Sequence, residues 1–210
     1  MKDKITIFKN KLFNTLMKIE FCIRDREQYE TAKNIFNDCQ YITVNHKSIT
    51  DASYNTIVSA GNSFAEMNGG VDGMINSHLS SYTPTKYIQD DVKKFINEKF
   101  AGELPVGQSI IIPTQHPTHK YLIYTPTMRV AEDISKTLNA YLAFRSVLLI
   151  MKRNNIDSAS TPLFCTGAGC MDVAKACKQM KEAYLSVTTG NLIGGNWQIY
   201  HNHHRYLNNL

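Results

Sequence analysis

The sequence predicts an α/β protein, in which strands and helices alternate along the chain and pack in layers. Short apolar segments that are typical of strands are separated by longer segments with helical periodicity. Two of the strand-like segments run directly into glycine-rich loops, and a helix pattern follows each loop. The chain has 210 residues, of which 43% are hydrophobic, and this is enough for one well-buried domain. We therefore expect a single domain over residues 1–210.

The N-terminal part of the chain predicts a βαβ-like unit followed by a third strand. Residues 19–23 have the apolar pattern of a strand, and residues 26–36 carry their apolar side chains on one helical face. Residues 41–44 return to a strand pattern. The apolar segment 55–60 predicts a buried strand that leads into the first glycine-rich loop, and residues 71–79 predict the helix after this loop.

The central part of the chain predicts two helices and three further strands. Residues 90–100 place their apolar side chains on one helical face, and a glycine and a proline then end the pattern. Residues 109–112 and 121–124 predict neighbouring strands. Residues 132–154 are the longest helical candidate, with acidic residues at the start and basic residues at the end. Residues 161–165 predict a strand that runs into the second glycine-rich loop.

The C-terminal part predicts one more helix and a less regular end. Apolar residues recur at helical spacing from Val173 onwards, whereas residues 186–210 are rich in Asn, Gly and His and predict a loop-like extension or a loose tail. Trp197, Tyr200 and Tyr206 either supply an aromatic wall for a base or pin this extension to the core.

Cysteine usage and charge exclude several classes of protein. The five cysteines contain no C-x-x-C pair, so a disulfide framework and a zinc ribbon are not expected, and a reducing, cytoplasmic compartment fits best. The net charge of +5 is too small for a nucleic-acid-binding tail. Residues 1–18 lack the apolar run of a signal peptide and favour an amphipathic surface helix. Residues 140–151 are too short to span a bilayer, so we expect no membrane partner.

The two glycine-rich loops are candidate anion sites. Each lies where a strand ends and a helix begins, so backbone amides and the positive end of the helix dipole converge there. Neither loop has the sequence of a P-loop or the G-x-G-x-x-G spacing of a dinucleotide site. One such loop is as consistent with a tight turn as with a ligand. Two loops after two separate strands favour a ligand, because ligands of open α/β sheets bind at the carboxyl ends of the strands.

The order of four motifs resembles that of macro domains, the ADP-ribose-binding modules. SAGNSF at 59–64 and NGGVDG at 68–73 are similar to the family's signature loop, and TGAGCM at 166–171 is similar to its second phosphate loop. GELPVG at 102–107 and YTPTMR at 124–129 resemble a bacterial, phage and fungal branch that includes proteins processing ADP-ribose 1″-phosphate. The resemblance covers residues 42–185.

The resemblance implies a three-layer α/β/α fold with a mixed central sheet and an ADP-ribose cleft across the strand ends. It implies a ligand-binding core at 42–185, with an N-terminal βαβ-like segment at 19–44 and a C-terminal extension at 186–210. It implies no cofactor. The residues that the resemblance places against the ligand are Ser48, Ile49, Ala60, Gly61, Asn62, Gly69, Gly70, Val71, Thr166, Gly167, Ala168, Gly169, Cys170 and Met171.

Asn62 and Asp72 are the two catalytic candidates that the resemblance implies. The amide of Asn62 offers a donor and an acceptor together, as the diol of the distal ribose requires. The carboxylate of Asp72 would activate a water or stabilise positive charge at the anomeric carbon. The alternative is that Asp72 only complements the dipole at a helix start.

Several positions depart from the family pattern. Ser48 stands where many members have an aspartate that reads the adenine amino group, and Asp51 is a candidate substitute. Ser59 replaces the first asparagine of the signature, and Asn68 replaces its first glycine. Asn76 stands where some members have a histidine. These differences weaken the assignment of a hydrolase more than that of a binding module.

Three functions remain open from the sequence. The first is a hydrolase that removes ADP-ribose from a protein or a nucleic acid, or that dephosphorylates ADP-ribose 1″-phosphate. The second is a non-catalytic module that binds or sequesters ADP-ribose-type metabolites. The third is a structural or assembly protein, for example of a phage, that retains the fold without the ligand.

The remaining histidines and cysteines predict no metal site. His201, His203 and His204 are expected on a coil or strand, where neighbouring imidazoles point apart. His116 and His119 are expected in a solvated loop between two strands, from which they could instead reach a substrate. For Cys165, buried packing is favoured over nucleophilic catalysis, since the sequence assigns it no base.

Overall fold

A six-stranded sheet lies at the centre of the computed structural model, which describes residues 16–82 and 87–210. The spatial order of the strands is β2-β1-β6-β3-β5-β4, and every neighbouring pair is parallel except β4 and β5. The strands are β1 Lys18–Cys22, β2 Ile42–Asn45, β3 Thr56–Asn62, β4 Ile110–Pro113, β5 Tyr121–Met128 and β6 Ser158–Thr161. The mixed sheet confirms the predicted fold class.

Helices cover both faces of this sheet and complete three layers. The α-helices are α1 Arg26–Ile35, α2 Gly70–Ser80, α3 Ile88–Phe100, α4 Asn139–Arg153, α5 Val173–Thr189 and α6 Trp197–Asn208. A short 3₁₀ helix spans Ile49–Asp51. One hydrophobic cluster joins α1, α4, α5 and α6 to one face of the sheet, and a second joins α2 and α3 to the other.

Strand β3 shows why the sheet needs both layers. Ile57 and Val58 are neighbours along the strand, yet both are fully buried, and they belong to the two different hydrophobic clusters. Successive side chains of a strand point to opposite faces, so a continuous apolar run is stable only where both faces are covered. Leu122 and Ile123 repeat this arrangement on β5.

The predicted N-terminal βαβ unit is confirmed, whereas two element positions were wrong. Strand β1 pairs in parallel with β2. The last strand was predicted at 161–165 but ends at Thr161, because the following apolar residues form the loop after the strand. The predicted helix 132–154 begins only at Asn139. Upstream of it, the side chains of Asp133 and Thr137 accept hydrogen bonds from nearby backbone amides, and such local bonds compete with helix formation.

The C-terminal extension is helical rather than loop-like, which corrects the prediction for 186–210. Helix α5 continues to Thr189, and α6 begins where the side chain of Asn196 accepts a hydrogen bond from Ile199 N. Leu207, not an aromatic residue, anchors α6 in the core, whereas the side chain of Trp197 is 78% exposed.

The amphipathic helix predicted for residues 1–18 lies almost entirely outside the described residues.

The cysteines and the helices bear on two expectations about the chain, the state of its thiols and the presence of a membrane span. All five cysteines are free thiols, as expected from their spacing. Among the described helices, none combines the length and the apolar character that a membrane span requires.

A candidate ligand-binding cleft at the strand ends

A cleft of about 590 Å³ lies at the carboxyl ends of the parallel strands. Its walls come from the loop after β1, the end of β3, the start of α2, the end of β5 and the loop after β6. Cavities of this size hold small organic ligands. Both glycine-rich loops of the sequence therefore meet at one cavity.

The start of α2 presents unpaired backbone amides at this cleft. Gly69 precedes the helix, and no side chain caps the amides that follow it. The first helical hydrogen bond runs from Gly73 N to Gly69 O, at 2.9 Å. The amides of Gly70 and Val71 thus lack an intrahelical acceptor, as the first amides of any helix do. Together with the positive end of the helix dipole, they form a site for an anion.

The loop after β6 is folded back on itself by its own backbone. Met171 N donates to Cys165 O at 3.0 Å, and Cys170 N donates to Gly167 O at 2.9 Å. Cys165 and Cys170 adopt left-handed backbone angles, with φ of 65° and 53°. Gly169 lies so close to the chain that a β-carbon there would approach Cys165 O and Ile134 Cγ1 to 2.8 Å each.

This fold leaves a second set of amides without internal partners. The backbone amides of Gly167, Ala168 and Gly169 donate no hydrogen bond to any acceptor in the described part of the chain. All three residues line the cleft. Consecutive unpaired amides make an anion-binding concavity without any charged side chain.

Asp72 forms part of the cleft wall, and its side chain is largely buried. It lies in the first turn of α2, is 9% exposed, and accepts a hydrogen bond from the hydroxyl of Ser59 on β3. Burial raises the pKa of Asp72 to about 6, and the hydrogen bond from Ser59 opposes this shift. A carboxylic acid with this pKa is mostly ionised at pH 7 and readily takes up a proton.

Gly61 provides the space that Asp72 occupies. A β-carbon on Gly61 would lie 2.6 Å from Asp72 Oδ2 and 2.2 Å from Tyr124 Oη. The hydroxyl of Tyr124 in turn donates to Asn62 O at 2.7 Å and accepts from Asn62 N at 3.1 Å. The end of β3 is thus fixed between a buried tyrosine and a buried carboxylate.

The side chain of Asn62 holds the loop that follows β3. Its Oδ1 accepts from Phe64 N at 3.1 Å and from Glu66 N at 3.2 Å, and its Nδ2 donates to Glu66 O at 3.0 Å. An amide nitrogen carries two hydrogens, so one N–H remains for a ligand. The acceptor that the predicted pairing with a ribose diol also needs is already used by the two loop amides.

The model of the macro domain family matches residues 58–180, which is more than half of the chain. The chain belongs to the macro domain family. A macrodomain variant from Oceanobacillus iheyensis, solved with ADPR, is 25% identical to it, with a TM-score of 0.56, 67% of this chain covered and 75% of that one.

Two other solved structures share the fold at lower identity. The macrodomain of Mycobacterium tuberculosis DarG is 17% identical, with a TM-score of 0.53, 68% of this chain covered and 86% of that one. Thermosipho africanus DarTG in complex with ADP-ribose is 13% identical, with a TM-score of 0.55, 79% of this chain covered and 50% of that one. No significantly similar sequence was found among the curated proteins.

Most of the predicted ligand-binding residues line the cleft of this macro domain. They are Ile49, Ala60, Gly61, Asn62, Gly69, Gly70, Val71, Thr166, Gly167, Ala168 and Gly169, and the catalytic candidate Asp72 lines it as well. Ser48, Cys170 and Met171 do not line it. Ser48 instead caps the 3₁₀ helix by accepting a hydrogen bond from Thr50 N. Cys170 faces solvent, and Met171 is buried beneath the loop.

The sequence did not predict the wall that the loop after β1 and the start of α1 contribute. Arg24, Asp25 and Gln28 all line the cleft, and they lie outside the predicted ligand-binding core of 42–185. Gln28 Oε1 accepts a hydrogen bond from Thr166 Oγ1 at 3.4 Å, which joins this wall to the second glycine-rich loop. The strand predicted at 19–23 could have indicated this wall, because the carboxyl ends of parallel strands meet at the same end of a sheet.

The thiols at the cleft of the macro domain are not suited to nucleophilic catalysis. Cys22 and Cys165 line the cavity, and burial raises the pKa of both thiols to about 12. A thiol with this pKa stays protonated at neutral pH and is a weak nucleophile. The expectation that Cys165 serves packing is confirmed.

The histidines that the sequence singled out lie away from the cleft. His116 and His119 are 4% and 3% exposed, so the predicted solvated loop is wrong. They lie in the turn before β5, at the sheet edge opposite the cleft. On α6, His203 packs against Tyr141 and Glu182, and His204 contacts Asn208.

Proposed function

We propose that the cleft of this macro domain binds ADP-ribose or a close derivative of it. The observation that carries the proposal is the meeting of two sets of unpaired backbone amides, at the start of α2 and in the loop after β6, at one cavity of about 590 Å³. A diphosphate needs several donors at short spacing, and backbone amides at helix starts and in glycine-rich loops supply them. The related structures from O. iheyensis and T. africanus hold ADPR and ADP-ribose.

The two sets of backbone amides would contact different parts of ADP-ribose. We expect Gly70 and Val71 to contact the distal ribose and the adjoining phosphate, and Gly167 to Gly169 to enclose the diphosphate. The remaining N–H of Asn62 would donate to a ribose hydroxyl. The loop after β1 completes the wall, so we propose that the N-terminal βαβ unit belongs to the ligand-binding part of the single domain.

Calorimetric titration of the full chain with ADP-ribose tests this proposal. We expect saturable heat for one ligand per chain, and the same titration with AMP and with ADP-ribose 1″-phosphate measures the contribution of each end of the ligand. Absence of heat at high micromolar ADP-ribose would contradict the proposal. That result would favour a structural or assembly role for the fold.

A second candidate function is hydrolysis of an ADP-ribose conjugate, and Asp72 is the observation that favours it. Asp72 lines the cleft, and its pKa is raised to about 6, close to the range in which a general base works at neutral pH. Asp72 would take a proton from a water that attacks the anomeric carbon. The bond from that carbon to the acceptor would break, and the acceptor would leave with the proton that Asp72 had taken from the water. The acceptor would be a protein, a nucleic acid or, for the 1″-phosphate, inorganic phosphate.

Asp72→Ala separates hydrolysis from binding. We expect the variant to lose about 10²- to 10⁴-fold in turnover, the usual contribution of a general base, while its affinity for ADP-ribose is largely kept. The substrates are a mono-ADP-ribosylated protein, an ADP-ribosylated nucleic acid and ADP-ribose 1″-phosphate. Inactivity of the wild-type protein on all three, with ADP-ribose still bound, would identify a non-catalytic binding module.

A further inference from the structure

Three histidine side chains meet at the sheet edge opposite the cleft. His78 lies near the carboxyl end of α2, and His116 and His119 lie in the turn that joins β4 to β5. One ring nitrogen from each residue lies within 4.8 Å of the others. The ring centroids are 4.4 Å apart for His78 and His116, 5.0 Å for His78 and His119, and 4.9 Å for His116 and His119.

A hydrogen bond orients the ring of His119 as metal-binding histidines are oriented. His119 Nε2 lies 3.2 Å from Ala52 O, and a carbonyl only accepts, so Nε2 carries the proton and Nδ1 keeps its lone pair. That Nδ1 lies 3.0 Å from His78 Nε2. In metal sites, a ligating histidine commonly donates its other ring N–H to a backbone carbonyl, as His119 does here.

We propose that His78, His116 and His119 bind a divalent transition-metal ion such as Zn²⁺. Two imidazole nitrogens bound to tetrahedral zinc at about 2.0–2.1 Å are separated by roughly 3.3 Å. The 3.0 Å between His78 Nε2 and His119 Nδ1 is close to this separation. Imidazole nitrogen is a preferred ligand of zinc, copper and nickel, and three such ligands leave room for water as a fourth.

Metal binding requires defined changes in two of the rings. His78 Nε2 now donates to His119, so its proton must move to Nδ1 when Nε2 binds the ion. His116 Nδ1 accepts from Thr118 N at 3.2 Å and from His119 N at 3.1 Å. The ring of His116 must therefore turn away from these amides before it can act as the third ligand. The turn between β4 and β5 is the segment that adjusts.

The surroundings suit an ion at this place. His116 and His119 are buried, at 4% and 3% exposed, so little reorganisation of solvent accompanies an ion held between them. The negative charge of Asp51 acts on His78 and would partly balance the charge of the ion. Tyr82 closes one side, with its ring edge-on to His116 at 4.7 Å between centroids.

An ion here would stabilise the end of α2 that is remote from the ligand. Asp72 and His78 are six residues apart on this helix, which corresponds to about 9 Å along its axis. The imidazoles come from α2 and from the β4–β5 turn, so the ion would fasten the helix to the sheet edge. It would not touch the cleft, and its binding does not require that the cleft bind ADP-ribose.

Zn²⁺ titration of the full chain by calorimetry tests the site. We expect one high-affinity Zn²⁺ per chain in the wild-type protein. His78→Asn and His119→Asn should each weaken binding about tenfold or more, because each removes a ligand. The matched control is the double variant His201→Asn with His204→Asn on α6, which should bind Zn²⁺ as the wild-type protein does. No binding by the wild-type protein, or loss of binding only in the α6 variant, would overturn the proposal.

A measurement on the unmodified protein covers the case in which a buried substitution prevents folding. The ring ¹⁵N signals of all histidines are followed by NMR while Zn²⁺ is added in stoichiometric amounts. The signals of His78, His116 and His119 should change together at one equivalent. If the signals that change belong to His46 or to the histidines of α6 instead, the proposal is wrong.

Discussion

The hydroxyl of Ser59 on β3 donates a hydrogen bond to the carboxylate of Asp72 on α2, thirteen residues further along the chain. Ser59 is fully buried, so this bond is made away from solvent. It stabilises the charged form of a carboxylate that burial otherwise disfavours. From the sequence, Ser59 was a departure from the family signature, whereas in the structure it fixes the proposed catalytic group.

Ser59→Ala should raise the pKa of Asp72 further above about 6, because the variant removes the hydrogen bond that stabilises the carboxylate. A ¹³C NMR titration of the Asp72 carboxyl group measures this pKa. If hydrolysis occurs, its pH profile should shift to higher pH in the same variant. An unchanged or lower pKa would show that Ser59 does not stabilise the charged form.

Asp72 should make the folded protein less stable as the pH rises from about 4 to 6. Its pKa is about 6 in the folded protein against an ordinary value of 3.8, so the folded state keeps the proton to higher pH than the unfolded state does. The resulting contribution to stability is fully present below about pH 3.8 and is lost as the pH passes about 6. The difference in unfolding free energy between the wild-type protein and Asp72→Asn should change by about 3 kcal/mol across this range. Urea denaturation at several pH values measures it, and parallel profiles for the two proteins would contradict it.

Gly61→Ala should destabilise the protein by about 1–3 kcal/mol, the usual cost of forcing an extra methyl group into a packed site. The added carbon would lie 2.2 Å from Tyr124 Oη and 2.6 Å from Asp72 Oδ2, so one of these groups must move. Urea denaturation gives the change in stability. Gly69→Ala is the control, since no atom lies within 4 Å of its added carbon, and its stability should stay near that of the wild-type protein.

Gly169→Ala and Gly167→Ala should differ although both glycines line the cleft. A β-carbon at 169 would approach Cys165 O and Ile134 Cγ1 to 2.8 Å, whereas one at 167 meets nothing within 4 Å. We expect Gly169→Ala to distort the loop and to weaken ADP-ribose binding about tenfold or more, which corresponds to about 1.4 kcal/mol or more. Calorimetry on both variants tests this. Equal affinities would mean that the folded-back shape of the loop does not matter for the ligand.

The glycine-rich loops could be predicted from the sequence because their chemistry is local. A buried strand, a run of small residues and a helix start are all encoded by neighbouring residues, and unpaired amides follow wherever they occur in that order. This is why Gly69 to Asp72 and Thr166 to Gly169 were found at the cleft. The motifs there also led to the macro domain family.

Contacts between distant segments could not be predicted in this way. The place of Arg24 and Gln28 in the cleft depends on β1 lying between β2 and β6, and this order is a property of the whole sheet. The short spacing of Gly61, Tyr124 and Asp72 likewise depends on β3 pairing with β5 beneath α2. Helix α6 was missed because its sequence is mostly polar, and the burial of Leu207 helps to hold it on the domain.

The sequence by itself determined the fold class and the two amide-bearing loops, and the roles of Asn62 and Asp72 came only from its resemblance to macro domains. Only the tertiary structure decided that Asp72 is buried against Ser59, that the acceptor of Asn62 is occupied, and that His78 meets His116 and His119. The physical reason is the range of the interactions. Backbone conformation and capping depend on residues a few positions apart, whereas burial, pKa and the convergence of side chains depend on which surfaces the packed sheet brings together.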